Sequence, residues 1–242
     1  MTIPHSAFRI SHPAEAGRPR LIVICGPTAA GKTAAGIEVA RAVNGEIIGA
    51  DSMQVYRYMD IGTAKPTAME QAAVRHHLID VVDPDELFDA AAYLTLGRQA
   101  LTELFRRGKT PVMVGGTGLY IKALLYGLFR SDARDPAVRA RLRAEAEAQG
   151  AAALHNRLAQ CDPQTAGRLH PNDTVRILRA LEVFEVTGRP ISALQREHRF
   201  GDAPFHTLKI GLSLDRETLY RRIDRRVEAM IATGLEEEVR TL

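Results

Sequence analysis

The chain has 242 residues and a formal net charge of +3; 45% of its residues are hydrophobic and 25% charged. That length suits one large domain or a core carrying an insertion. The composition excludes disordered and collagen-like classes, and no apolar run is long enough to span a bilayer. Two cysteines, Cys25 and Cys161, are too few for a disulfide framework or a zinc site, and residues 1–20 lack the apolar stretch of a signal peptide. These features predict a cytoplasmic protein.

In chain order, a polar leader over residues 1–20 gives way to LIVIC (Leu21 to Cys25), a short apolar run that predicts a buried parallel strand. A Gly-rich turn then enters an Ala-rich helix ending near Asn44 and Gly45. EIIGA predicts a second strand running up to Asp51, and Asp89 to Gly108 has the cap, spacing and terminal glycine of an amphipathic helix. Pro111 to Gly115 predicts another strand, followed by Gly116-Thr117-Gly118 and the helix LYIKALLYGL. Strands alternating with helices imply an α/β fold with a mostly parallel sheet flanked by helices.

From Asp135 the pattern becomes helical, with caps at Asp135 and Asp173, and the next strand expected is Thr207 to Leu214. Residues 130–200 are therefore expected to form an all-helical insertion, with the core made of residues 21–129 and 201–242. The insertion carries twelve cations, all arginine, against nine acids. Arginine suits bidentate phosphate contacts, although its use over lysine also follows genomic base composition. DRETLYRRIDRRVEAMIATG predicts a helix stopped by Gly234, and LEEEVRTL opens a further helical pattern that breaks off, as expected of a truncated chain. No dimerisation heptad is evident, which points to a monomer.

The segment Gly26-Pro27-Thr28-Ala29-Ala30-Gly31-Lys32-Thr33 satisfies G-x-x-x-x-G-K-[ST] between a strand and a helix, the context that motif requires. Its amides converge at a helix N-terminus, where they bind a di- or triphosphate, with Lys32 neutralising it and the Thr33 hydroxyl reaching Mg²⁺. Such a loop serves a kinase, a nucleotide hydrolase or an enzyme with a diphosphate leaving group equally well. Asp51, at the carboxyl edge of the sheet, fits a water-mediated Mg²⁺ ligand, a general base, or a cap for the following turn. Thr117 is placed either to contact an anion or base or to cap its own helix. Arg222 and Arg226, four residues apart beside an apolar stripe of Leu219, Ile223, Val227 and Ile231, are expected to flank a buried seam. They either reach a phosphate or pair with Asp224 and Glu228. His76 and His77 have no metal-ligand spacing and read as loop or packing residues, and Cys25 as a small buried strand residue.

DSMQVYRYMDIGTAKP (Asp51 to Pro66), together with GPTAAGKT, HHLIDVVDP, VGGTGLY, HPNDTVRILRALEV and TGRP, resembles the tRNA dimethylallyltransferase (isopentenyl-tRNA transferase) family, in unbroken order from about Leu21 to Leu242. The resemblance implies a P-loop core whose helical insertion grips the tRNA anticodon stem-loop. It also implies transfer of the dimethylallyl group from dimethylallyl diphosphate to N6 of the adenine 3′ to the anticodon. On it, residues Gly26 to Thr33 would hold the diphosphate with Mg²⁺ near Thr33. Asp51 would be the general base, with Ser52, Met53 and Gln54 beside the flipped adenine and Thr117 at the reaction centre. Arg139 and Val175, Arg176, Ile177, Leu178 and Arg179 match positions that contact tRNA, and Arg226 matches an arginine that stabilises the departing diphosphate. Family members extend beyond the length of this chain, so impaired activity is the expectation. The alternatives are an ATP-dependent kinase of a nucleotide or small molecule, with the insertion as its lid, and a nucleotide-binding module without chemistry.

Overall fold

The structure, a computed structural model, describes residues 18–128, 135–197 and 204–242. Residues 1–17 of the expected leader, and the boundaries expected at 129/130 and 200/201, lie outside them. The described residues cluster into two compact units, 18–126 with 204–242, and 127–128 with 135–197.

In the first unit the elements are β1 (Arg20–Cys25), α1 (Lys32–Ala42), β2 (Gly45–Ala50), α2 (Ala68–Ala73), β3 (His76–His77), α3 (Ala90–Arg106), β4 (Thr110–Gly115) and α4 (Gly118–Tyr126). The strands form one sheet in the order β3-β2-β4-β1-β5, where β5 is His206–Gly211, and every pairing is parallel. Alternation along β1 splits the core. Leu21 and Val23 face a cluster closed by Tyr93, Leu101 and Leu104 of α3 and Leu124 of α4, while Ile22 and Ile24 face Ile37 and Ala40 of α1. Burial on both faces explains why β1 reads as an unbroken apolar run.

Helix ends follow the local chemistry. The Asp89 carboxylate accepts from the amides of Ala91 (2.8 Å) and Ala92 (2.9 Å), and Gly108 takes a left-handed φ of +65° past the end of α3. Thr67 and Glu70 form a reciprocal capping box on α2. Close approach of β2 and β4 demands a glycine at 115, because a Cβ there would stand 2.1 Å from the carbonyl oxygen of Ala50.

Three expectations are corrected here. The last strand stops at Gly211 and not Leu214: its neighbour β1 ends at Cys25, whose carbonyl takes the amide of Leu212 at 2.8 Å, and no ladder lies beyond. The apolar stripe on α10 (Arg216–Ala232) is not a buried seam, since the helix has no fully buried residue and Val227 and Ile231 are 45% and 64% exposed. Only Leu219 and Ile223 of that stripe are half-buried. His76 and His77 are strand residues and not loop, the pair constituting β3.

The second unit contains α5 (Pro136–Gln149), α6 (Ala151–Cys161), α7 (Pro163–Ala166), α8 (Thr174–Thr187) and α9 (Ile191–Glu197), and no strand among its described residues. Asp135 and Asp173 cap α5 and α8 as expected. Its core gathers Leu142, Leu154, Leu158, Ile177, Ala180 and Leu181. A final helix, α11 (Leu235–Thr241), follows Gly234 in the first unit, where the glycine adopts φ +102°.

Candidate active site

The carboxyl ends of β1, β2 and β4 lie side by side, Cys25 paired with Gly115 and Gly115 with Ala50, so three turns emerge at one edge. That edge is where open parallel sheets bind ligands. From β1 comes the phosphate loop. Gly26 has φ +154°, and a Cβ there would meet the Leu212 carbonyl oxygen at 2.6 Å, so only glycine lets the chain turn away at this point. Ala29 takes φ +60° and Gly31 φ +89°, and α1 begins with no side-chain cap. The free first-turn amides and the helix dipole favour an anion.

Lys32 Nζ donates to the Pro27 carbonyl at 2.8 Å. Burial pushes its pKa down, the Asp51 carboxylate opposes this, and the Arg226 guanidinium adds to the lowering. Two further cations arrive from α10. Arg226 donates to Thr28 Oγ1 (3.3 Å) and to the Thr63 carbonyl (3.5 Å), and Arg222 reaches the Ala29 carbonyl at 3.5 Å. Among the described residues neither guanidinium forms an ion pair with Asp224 or Glu228, and both bond to the phosphate loop.

Asp51 follows β2 directly and uses one oxygen on the backbone: Oδ1 accepts from the amides of Met53 (2.9 Å) and Gln54 (3.4 Å). The turn-cap reading is thus realised, and Oδ2 is left for other chemistry. Thr117, at the β4 exit, ties this turn to the next strand. Its Oγ1 accepts from the Ser52 amide at 3.0 Å, its amide donates to the Ala50 carbonyl at 3.0 Å, and its hydroxyl lies 3.4 Å from Ser52 Oγ. Gln54 Nε2 donates to the carbonyls of Thr63 and Ala64, both at 3.1 Å. Met53 points outward, 45% exposed.

One cleft is lined by Lys32, Thr33, Asp51 and Gln54 together with the apolar side chains of Ile47, Ile79 and Val114. His76 lines it too, a placement no motif announced. Its Nδ1 meets the Val74 carbonyl at 2.7 Å, so the proton sits on Nδ1 and the buried Nε2 is an acceptor; burial keeps the ring pKa down. Among the described residues no three His, Cys, Asp or Glu side chains gather as a metal cage.

The second unit carries the other predicted residues. Arg139 and Arg179 meet on Glu182, which is 1% exposed, at 2.9 and 2.8 Å. Arg176 pairs with Asp173 at 2.7 Å and Val175 is 80% exposed. Ile177 is fully buried in the helical core and Leu178 packs against it, so the side chain of Ile177 is a core element and not a surface contact. Helical periodicity requires this: 177, 180 and 181 share the inward face of α8.

A model of the family described as IPP transferase matches residues 54–242. A tRNA dimethylallyltransferase of Desulfosudis oleivorans is 60% identical over 222 residues, covering 92% of this chain and 71% of the relative. One from Geobacter sulfurreducens is 55% identical with the same coverage. Among solved structures, the full-length tRNA isopentenylpyrophosphate transferase of Bacillus halodurans is 43% identical with TM-score 0.64, over 93% of this chain and 70% of that one. A eukaryotic dimethylallyltransferase acting on tRNA is 33% identical with TM-score 0.79, over 92% of this chain and 55% of that one.

Proposed function

The chain belongs to the IPP transferase family, and from that premise we propose that it transfers the dimethylallyl group of dimethylallyl diphosphate to N6 of the adenine 3′ to a tRNA anticodon. What supports the assignment of roles is convergence at one sheet edge: Lys32 and Thr33 of the phosphate loop line one cleft with the Asp51 carboxylate and the apolar side chains of Ile47, Ile79 and Val114, and Arg222 and Arg226 bond to the loop.

The N6 lone pair attacks the allylic carbon, the C–O bond breaks, and its electrons leave with diphosphate. Charge grows on that leaving group, where the amides of Gly26 to Thr33, Lys32 and Arg226 stabilise it. The adenine amine is a weak nucleophile because its lone pair is delocalised into the ring. Asp51 Oδ2 accepts the proton it loses, an assistance worth roughly 10² to 10⁴ in rate. Ser52, Gln54 and Thr117 hold the base, and Ile79 and Val114 shelter the hydrocarbon from water. The donor set fits Mg²⁺, since a hard cation that draws most of its ligands from diphosphate oxygens and water needs little more than the Thr33 hydroxyl from the protein. When bound, the ion would neutralise charge on the diphosphate.

The helical unit is proposed to grip the anticodon stem-loop, with Val175 and Arg176 exposed, Arg139 and Arg179 half-buried beside them, and Ile177 and Leu178 holding α8 in shape. The buried Glu182 fixes the Arg139 and Arg179 guanidiniums in advance of binding. Lifting the adenine out of its stack costs a few kcal/mol, less in single-stranded loop RNA.

The test is incubation with tRNA and labelled dimethylallyl diphosphate. Label in RNA with stoichiometric diphosphate is expected; release of ADP from ATP with no labelled RNA would replace this reading with a kinase.

A further inference from the structure

The turn from Asp60 to Ala64 is held from three sides. Glu238 of α11 places its carboxylate on three successive amides, Oε2 accepting from Asp60 (2.8 Å) and Ile61 (2.7 Å) and Oε1 from Gly62 (2.9 Å). Leu235, one turn earlier, packs on the same spot, within 3.1 Å of where a Cβ on Gly62 would be. From a second side the Lys65 ammonium, its side chain 4% exposed, bridges Asp60 and Asp80 and donates to the Tyr56 carbonyl at 2.9 Å. The third side carries the carbonyls of Thr63 and Ala64, which both receive Gln54 Nε2, and that of Thr63 also takes Arg226 at 3.5 Å.

A side-chain amide can present either end, and its partners decide which. Two carbonyls can only accept, so the Gln54 NH₂ group must face Thr63 and Ala64. The group left to offer a ligand in the cleft is Oε1, an acceptor. Rotating the amide by half a turn would set Oε1 against two carbonyl oxygens, and that penalty lasts only while the turn keeps both oxygens in place. Glu238 fixes the turn through charge-assisted bonds. Although partial burial opposes it, the Gly62, Ile61 and Asp60 amides hold its pKa below the usual carboxylate range, so it is ionised at neutral pH.

We infer that Glu238 is a positioning residue for substrate choice: by clamping the 60–64 turn it locks Gln54 with its amide oxygen toward the base, which favours a purine bearing an amino group over one bearing a carbonyl at that position. The inference rests on the proposed transfer to adenine. Nothing local marks Glu238 for this task, since its partners lie 176 to 178 residues away.

The experiment uses the full chain with inorganic diphosphate present and measures the affinity of anticodon stem-loops carrying adenine or hypoxanthine at the target position. Wild type is expected to prefer adenine by more than about tenfold, because Gln54 Oε1 and Asp51 Oδ2 both accept from an amino group and both oppose a carbonyl. Glu238→Ala should lower the ratio by up to about tenfold, the share of one hydrogen bond made or opposed, and leave the share of Asp51; Glu238→Gln, which keeps one acceptor oxygen, should restore part of the loss. A ratio of affinities from one preparation is not moved by an unfolded fraction, so loss of stability cannot imitate the result. An undiminished preference in Glu238→Ala overturns the inference while leaving prenyl transfer standing. No labelled RNA from wild type under the assay above would remove both.

Discussion

Replacing Asp51 by Asn separates the turn closure that its carboxylate performs from the proton acceptance proposed for it. Oδ1 closes the turn through the amides of Met53 and Gln54, and Asn keeps that oxygen. The turn carrying Ser52, Met53 and Gln54 should therefore survive, while the proposed acceptor of the N6 proton is lost. Asp51→Ala removes the turn closure as well, worth about 1 kcal/mol by analogy with helix caps. The proton-accepting role predicts a fall of about 10² to 10⁴ in the chemical step, or roughly 3 to 5 kcal/mol in barrier, for Asp51→Asn. A single-turnover reaction of anticodon stem-loop RNA with excess labelled dimethylallyl diphosphate reads that step without product release. Donor affinity should change by less than about threefold, because the diphosphate contacts are proposed for amides, Lys32 and arginines and not for Asp51. A single-turnover rate in Asp51→Asn within about threefold of wild type would refute the base assignment. The Asn and Ala variants differing by no more than error would show instead that the turn needs no such closure.

Other consequences are equally direct. Gly115→Ala drives a methyl into the Ala50 carbonyl, 2.1 Å from its oxygen, and since main chain cannot yield easily the loss should be about 3 kcal/mol or more in urea unfolding; less than about 0.5 would contradict the packing argument. Glu46 is 7% exposed, is forked by Arg107 at 2.6 and 2.7 Å and meets His77 at 2.7 Å; with Arg107 hydrogen bonds as the main cause, its pKa falls to about 2. A depressed carboxylate stabilises fully above its unfolded value, and that contribution, at most about 3 kcal/mol, drains away between pH 4.5 and 2. The stability gap between wild type and Glu46→Gln should therefore be wide at pH 7 and closed near pH 2, and a gap independent of pH would be incompatible with it. In the helical unit, Arg139→Ala and Arg179→Ala should each lower the salt slope of stem-loop binding by about one, whereas Val175→Ala leaves it unchanged; equal slopes throughout would remove both arginines from phosphate contact.

The parts of this protein that a reader of the sequence can find are those whose chemistry is contiguous. The phosphate loop, its strand and its helix occupy neighbouring residues, so spacing alone locates Gly26 to Thr33. The caps at Asp89, Asp135 and Asp173 are legible because a cap and its amides lie within three residues. The capping box of Thr67 and Glu70 was available in the same way and would have announced α2. Distance along the chain hides the rest. Glu46 meets His77 and Arg107 from 31 and 61 residues away, and Arg226 meets Thr28 from 198. A two-residue strand such as His76–His77 has no period to detect, and it becomes a strand only because β2 offers an edge. Periodicity also misled at α10, where an apolar stripe shows that a face can be covered and says nothing of whether it is.

The same distinction explains why the phosphate loop identifies an anion and not a reaction. Amides, a lysine and a helix dipole recognise negative oxygens, and a β,γ-anhydride and an allylic diphosphate present nearly the same oxygens to them. What separates the two chemistries lies across the cleft, in what receives the electrophile. There the first side chain after β2 is a carboxylate whose orientation is fixed by its own turn, the next strand exit contributes Thr117 to brace that turn, and the 60–64 segment orients Gln54. A parallel sheet makes this assembly possible because all its strands end on one side, so residues 26, 51 and 117 become neighbours without any long loop having to reach. The acceptor side is thus encoded in the lengths and exits of the strands. Substitutions that shift β2 against β4 should impair transfer even where every side chain at the site is retained.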